Sequence, residues 1–116
     1  MDNLSEAIQL LAKMRENFQG FLHEYGTFED VKGLSKYKVS ELGFVLNKKT
    51  HKLHLPKFMK DGHEHVLVAD DTGQRKWVPV RFIVAKTFVN NDDNLLNVEH
   101  IDGDKSNNIA NNLRWV

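Results

Sequence analysis

The stretch N97-V-E-H-I-D-G-D-K-S-N-N-I-A-N-N-L-R-W-V116 is where this sequence says most about its fold. Val98-Glu99-His100-Ile101 and Leu113-Arg114-Trp115-Val116 read as two short strands. Between them, Asp102-Gly103-Asp104 reads as a turn in which Gly103 is free to take a positive φ. Asn107, Asn108, Asn111 and Asn112 carry short amide side chains suited to bonding loop backbone. The stretch therefore predicts a hairpin whose first strand ends on a carboxylate, Glu99, beside an imidazole, His100. A neutral imidazole accepts a proton from water near pH 7. A carboxylate helps to hold Mg²⁺ or Mn²⁺, ions that complete their shells with water and substrate phosphate. The pair suits metal-assisted phosphodiester hydrolysis, with the asparagine-rich loop orienting the imidazole.

Upstream of this hairpin, Val80, Ile83, Val84, Thr87 and Phe88 recur on one side of a helix, which predicts a short buried helix over 80–88. Before it the apolar period is two. Residues 64–69 and 74–80 flank Asp70-Asp71-Thr72-Gly73, a hairpin signal. Residues 37–40 and 43–46 read as strands around a Glu41-Leu42 turn, and 52–56 as the next strand. Near the start of the chain, Leu4, Ile8, Leu11, Phe18 and Leu22 fall at spacings of three, four or seven. Residues 3–24 therefore read as one amphipathic helix, with Asp2 as its N-cap and Gly26 as its stop. The expected fold class is α+β: an N-terminal helix, a small antiparallel sheet and the C-terminal hairpin. Residues 1–26 are expected to be a helix that packs on the domain or meets a partner, and 27–116 the domain itself.

The 116 residues suffice for one domain with a modest core. The absence of cysteine excludes disulfides and thiolate zinc sites and fits a reducing compartment. The first residues lack the basic start and apolar block of a signal peptide, and no apolar run is long enough for a membrane span, so a cytoplasmic location is expected. The formal net charge of zero hides a pattern. Residues 1–30 hold two basic and six acidic side chains, net −4; residues 31–60 hold eight lysines against Glu41, net +7; residues 61–116 hold six basic and nine acidic, net −3. A basic middle between acidic flanks is either a phosphate-facing surface or a solvated, lysine-rich hairpin face. Lys32, Lys36, Lys38, Lys48, Lys49, Lys52, Lys57 and Lys60 are the candidates for contact with a DNA backbone. His63-Glu64-His65 puts two imidazoles on one strand face, as some metal sites do; a solvent-exposed strand is the simpler reading. Trp77 and Trp115 read as core.

The C-terminal stretch resembles the HNH motif of phage and group I intron homing endonucleases. His100, Asp102, Gly103, Asp104, Asn107, Asn108, Asn112, Leu113 and Trp115 carry the resemblance. Residues 80–88 are similar to the helical element that precedes that motif. Phe28-Glu29-Asp30-Val31-Lys32-Gly33, Tyr37-Lys38-Val39-Ser40 and Gly43-Phe44-Val45 resemble the small module that precedes HNH in these enzymes. The resemblance spans 28–116. It implies a ββα-metal nuclease fold in which His100 is the general base, Glu99 binds the metal, and Asn112 braces the loop and orients the histidine.

Four departures accompany it. The family's third signature residue lies on a helix about twenty residues beyond the histidine, and sixteen residues follow His100. Arg81-Phe82 stand where histidine and arginine are usual, Phe28 replaces a tryptophan, and Glu99 stands where aspartate is common. The reading these favour is a nuclease-dead HNH derivative that binds double-stranded DNA or a protein, as a small phage or mobile-element regulator or inhibitor. The alternative is an active Mg²⁺- or Mn²⁺-dependent nuclease or nickase, its site completed in trans by a homodimer. The helix of residues 3–24 is expected to replace the missing packing on the hairpin or to form the partner surface.

Overall fold

The computed structural model describes residues 24–116. The expected helix over 3–24, and with it the stripe of Leu4, Ile8, Leu11, Phe18 and Leu22, lies outside the described residues but for Glu24. The chain from Phe28 onward is mostly strand. Strands β1 (Phe28–Val31), β2 (Leu34–Ser40), β3 (Val45–Asn47) and β4 (Leu53–His54) form one antiparallel sheet in sequence order. Strands β5 (Lys57–Phe58), β6 (Glu64–Ala69) and β7 (Arg75–Pro79) form a second. Helix α1 (Val80–Phe88) follows directly, and β8 (Val98–His100) and β9 (Leu113–Trp115) form the third sheet, a two-stranded hairpin.

This corrects the α+β expectation of an N-terminal helix on one small sheet. Among the described residues there is one α-helix of nine residues, and three separate antiparallel sheets surround it. The physical reason is strand length. Strands of two to seven residues closed by tight turns make sheets too small to bury two faces. Each turns its one apolar face to the same helix instead.

Helix α1 forms despite its β-branched content because its apolar residues recur at helical spacing. Val80, Ile83, Val84 and Ala85 are buried in the centre of the molecule. Pro79, with φ fixed by its ring, leads the chain from β7 into the helix without a side-chain cap. The strands contribute residues of one pleat face: Tyr37, Val39 and Val45 from the first sheet, Val66 and Val68 from the second, Val98 and Leu113 from the hairpin. Phe82 of α1 packs against Trp115 with ring centroids 6.2 Å apart, and the Trp115 indole N–H donates to the Val89 carbonyl at 3.1 Å. The Leu113–Trp115 side of the hairpin is thus covered by α1. Trp77, in contrast to the expectation, is 42% exposed, with the Lys57 ammonium 5.9 Å from its ring.

Candidate functional site

In the β8–β9 hairpin Val98 pairs with Trp115, Glu99 with Arg114 and His100 with Leu113. Successive residues of a strand point to opposite faces. Val98 and His100 therefore share the inward face, and Glu99 projects from the other. There the Glu99 carboxylate accepts from the Arg114 guanidinium across the pair, at the surface. Adjacency in sequence thus separates the carboxylate and the imidazole in space.

Beyond His100 the chain makes a polar loop that bonds to itself. Asp102 accepts from the amides of Asn107 (2.8 Å) and Asn112 (2.9 Å) and from the backbone N–H of Asp104 (2.8 Å). These bonds hold its carboxyl below the ordinary range, Asn107 contributing most. Asp104 accepts from the Ser106 hydroxyl and N–H, with the same effect on its own carboxyl. Asn112 bridges the loop's two ends. Its amide also donates to the Asn107 carbonyl at 2.9 Å, and its carbonyl oxygens accept from the N–H groups of Asp102 and Ile101. Asn112 thus bonds the loop, and the side chain that reaches the imidazole is Asn108.

Asn108 is 5% exposed and bonded at both ends. Its Oδ1 lies 2.7 Å from His100 Nε2, and its Nδ2 donates to Glu64 Oε2 at 3.1 Å. Glu64 opens β6 on the same face as Val66 and Val68, so it points inward. Burial pushes its carboxyl above the ordinary range, and the Asn108 bond opposes that shift. The His63 ring stacks on that of His100, centroids 5.5 Å apart and planes within 20°. Burial, then the charge of Arg81, lowers the His63 pKa, which favours a neutral ring against His100. His65 Nδ1 lies 3.0 Å from the His63 carbonyl. The 63–65 segment, read from sequence as a solvent-exposed strand, is half-buried and forms the wall behind His100. The Lys105 ammonium donates to the Asp61 carbonyl at 3.1 Å, beside the same wall.

The loop is also fixed to the first sheet. The Ala110 N–H donates to the Glu41 carbonyl at 2.7 Å. Gly43, at φ +94, lies so close to the loop that an added Cβ would stand 3.2 Å from the Asn108 carbonyl oxygen. The positive φ favours glycine here, and the close approach adds to that preference.

Among solved structures, the fold matches that of the HNH homing endonuclease I-HmuI described in its DNA binding and cleavage. The TM-score is 0.68 at 35% identity, over 78% of this chain and 52% of that one. In sequence the chain is 37% identical over 90 residues to the DNA endonuclease I-HmuI of Bacillus phage SP01, covering 77% of this chain and 51% of that protein. It is 33% identical over 110 residues to an uncharacterised HNH endonuclease of Acanthamoeba polyphaga mimivirus, covering 87% of this chain and 33% of the relative. The chain belongs to an HNH homing-endonuclease-like family. No family model matches it. The chain spans about half, or less, of the length of the curated relatives it matches.

The HNH hairpin was the most legible part of the site. Asn108 reads from sequence as a residue that bonds loop backbone, and His63-Glu64-His65 as an exposed strand; neither reading joins them to His100, and Glu64 is 44 residues from Asn108 with no spacing to announce the contact. The described residues of the HNH site do not, as they stand, fit a divalent cation. Glu99 is engaged by a guanidinium, and among the described residues no three histidine or acidic side chains gather where an ion would be held.

The basic candidates form a loose group on the first sheet. Lys36 and Lys38 stand on β2, opposite in pleat to the buried Tyr37 and Val39. Lys48, Lys49 and Lys52 surround the β3–β4 turn, which Asn47 Oδ1 closes by accepting from the N–H groups of Lys49 and Thr50. Lys48 is paired with Asp30 at 2.6 Å, so its charge is partly spent within the sheet. Lys32 lies in the β1–β2 turn, and Lys57 on the second sheet beside Trp77. Among the described residues, no helix is long and apolar enough to cross a membrane.

Proposed function

We propose that this chain is an HNH-endonuclease-derived protein that binds double-stranded DNA and does not cut it unaided, serving as a DNA-binding or protein-binding regulator or inhibitor in a bacterial or phage-infected cytoplasm. The observation that carries this reading is the Glu99–Arg114 pair. The carboxylate that the resemblance gives to the metal is neutralised on the face away from His100. A bound Mg²⁺ or Mn²⁺ would supply phosphate charge neutralisation and an activated water. The lysines around the β3–β4 turn supply sequence-independent contact with phosphates, and residues 1–26 are proposed as a partner surface. The DNA binding of I-HmuI supports the choice of DNA as the partner.

A second reading has its own support. The bond between His100 and Asn108 leaves Nδ1 of the imidazole for proton transfer, as an active nuclease or nickase requires. The missing metal ligand would then come from a second copy or another chain.

A plasmid-nicking assay with Mg²⁺ or Mn²⁺, beside EDTA and His100→Ala controls, separates the two. The expected result is no nicking, with DNA binding that weakens as salt rises. Lys49→Ala and Lys52→Ala should each lower the slope of log affinity against log salt by about 1. Nicking abolished by both controls would overturn the first reading in favour of the second.

A further inference from the structure

Three polar side chains from distant parts of the sequence form one line: Glu64 Oε2, Asn108 Nδ2 and Oδ1, His100 Nε2, at 3.1 and 2.7 Å. We infer that Glu64 is a positioning residue: acting through Asn108, it fixes the proton of His100 on Nε2 and leaves the Nδ1 lone pair as the group that can take a proton. The inference rests on reading His100 as the proton acceptor of this site, and it names the residue that prepares it.

Hydrogen-bond polarity decides the tautomer. An asparagine amide has a donating end and an accepting end, and either could face an imidazole. By itself Asn108 would leave the tautomer of His100 open. An ionised carboxylate only accepts. With Glu64 on one side, the NH₂ of Asn108 must turn toward it, so the amide oxygen must face His100. That oxygen can only accept, so Nε2 must carry the hydrogen. Turning Asn108 over would set its oxygen against the Glu64 carboxylate, leaving both without a donor in a half-buried place, and an unsatisfied buried acceptor is costly.

The surroundings keep the line in place. Asn108 is buried, its backbone is pressed against Gly43, and the next residue but one is bonded to Glu41. His63 stacks on the imidazole and limits its rotation. Glu64 lines a cleft of about 240 Å³ together with Gly43, Phe44, His54, Ser106 and Asn108. A structural role, bonding a buried asparagine, would be met as well by glutamine; a polarity-setting role would not, because an amide can also donate.

The test is nitrogen-15 NMR of the His100 ring in the full chain without metal, with the resonance assigned by its loss in His100→Gln. The spectra are taken at alkaline pH, where added base no longer changes the ring shifts, so that the neutral tautomers are read. The wild type should show the Nε2–H form. In Glu64→Gln, checked as folded by its melting curve, the Nδ1–H form should rise roughly fivefold, as expected for loss of one hydrogen-bond preference. Two results would overturn the inference: an Nδ1–H ring in the wild type, which requires no variant, or an unchanged tautomer ratio in folded Glu64→Gln. The outcome is separable from the reading it rests on. A tautomer shift in Glu64→Gln upholds the positioning whether or not the wild type nicks, and only wild-type nicking that persists undiminished in His100→Ala would reject His100 as the proton acceptor.

Discussion

The two faces of the β8–β9 hairpin present neighbouring residues to different worlds. On one face His100 meets a buried asparagine, an inward carboxylate and a second ring. On the other, Glu99 meets Arg114 in water. The first arrangement is held by partners 8, 37 and 44 positions apart from one another in the chain, and losing Asn108 strands both His100 and Glu64. The second joins two exposed side chains across one ladder rung and can open without disturbing anything else. On the reading proposed above, the proton-handling half of the site is held in better order than the ion-holding half.

The strongest way to break this comparison is Asn108→Ala. It strips the half-buried Glu64 carboxylate of its Asn108 donor and should lower stability by about 1–3 kcal/mol. Urea unfolding would read this as a lower midpoint at constant slope. Arg114→Ala should change stability by less than about 1 kcal/mol, since exposed ion pairs contribute little. It should also free Glu99, so that Mn²⁺ broadens resonances near Glu99 more in this variant than in the wild type. If the two variants prove equally costly, the two faces are not different in kind.

The smallest effect is in the pH dependence, and it sharpens the contrast between loop and wall. Asp102 and Asp104 have folded-state values below the ordinary 3.8, so their contribution is present above 3.8 and lost as pH falls through the folded values. Glu64 has the opposite sign. Its folded-state value is raised above 4.5, so the folded chain takes up that proton first, and stability gains slightly as pH falls from the raised value to 4.5. Melting temperatures measured stepwise downward from neutral pH should show this small gain before the acid loss, and Glu64→Gln should lack the gain alone.

What was legible in the sequence follows from range. Helix α1 was readable from its own nine residues because its apolar positions recur at one period, and the 64–69 and 75–79 hairpin because turn residues separate two alternating runs. Strand β1 escaped notice because Phe28-Glu29-Asp30-Val31 puts two acids where an alternating strand shows one; its partners Lys38 and Lys48 lie outside the local window. Likewise, His100 was marked by its motif, while Glu64 is recognisable only once β6 and the asparagine loop are side by side. Trp77 and Trp115 are alike as letters, and only the position of α1 makes one half-buried and leaves the other beside Lys57.

The contact of Gly43 and Glu41 with the 108–110 segment bears on how such proteins can be recombined. The module before the HNH hairpin looks, along the chain, like a detachable cassette. In space its turn is a mould against which the asparagine loop is cast, with a Cβ at Gly43 only 3.2 Å from the Asn108 carbonyl oxygen. A chimera that took residues 27–79 from one relative and the hairpin from another would inherit a loop shaped for a different turn. Lineages that exchange these pieces are therefore expected to move glycine, inward carboxylate and asparagine loop as a single heritable block.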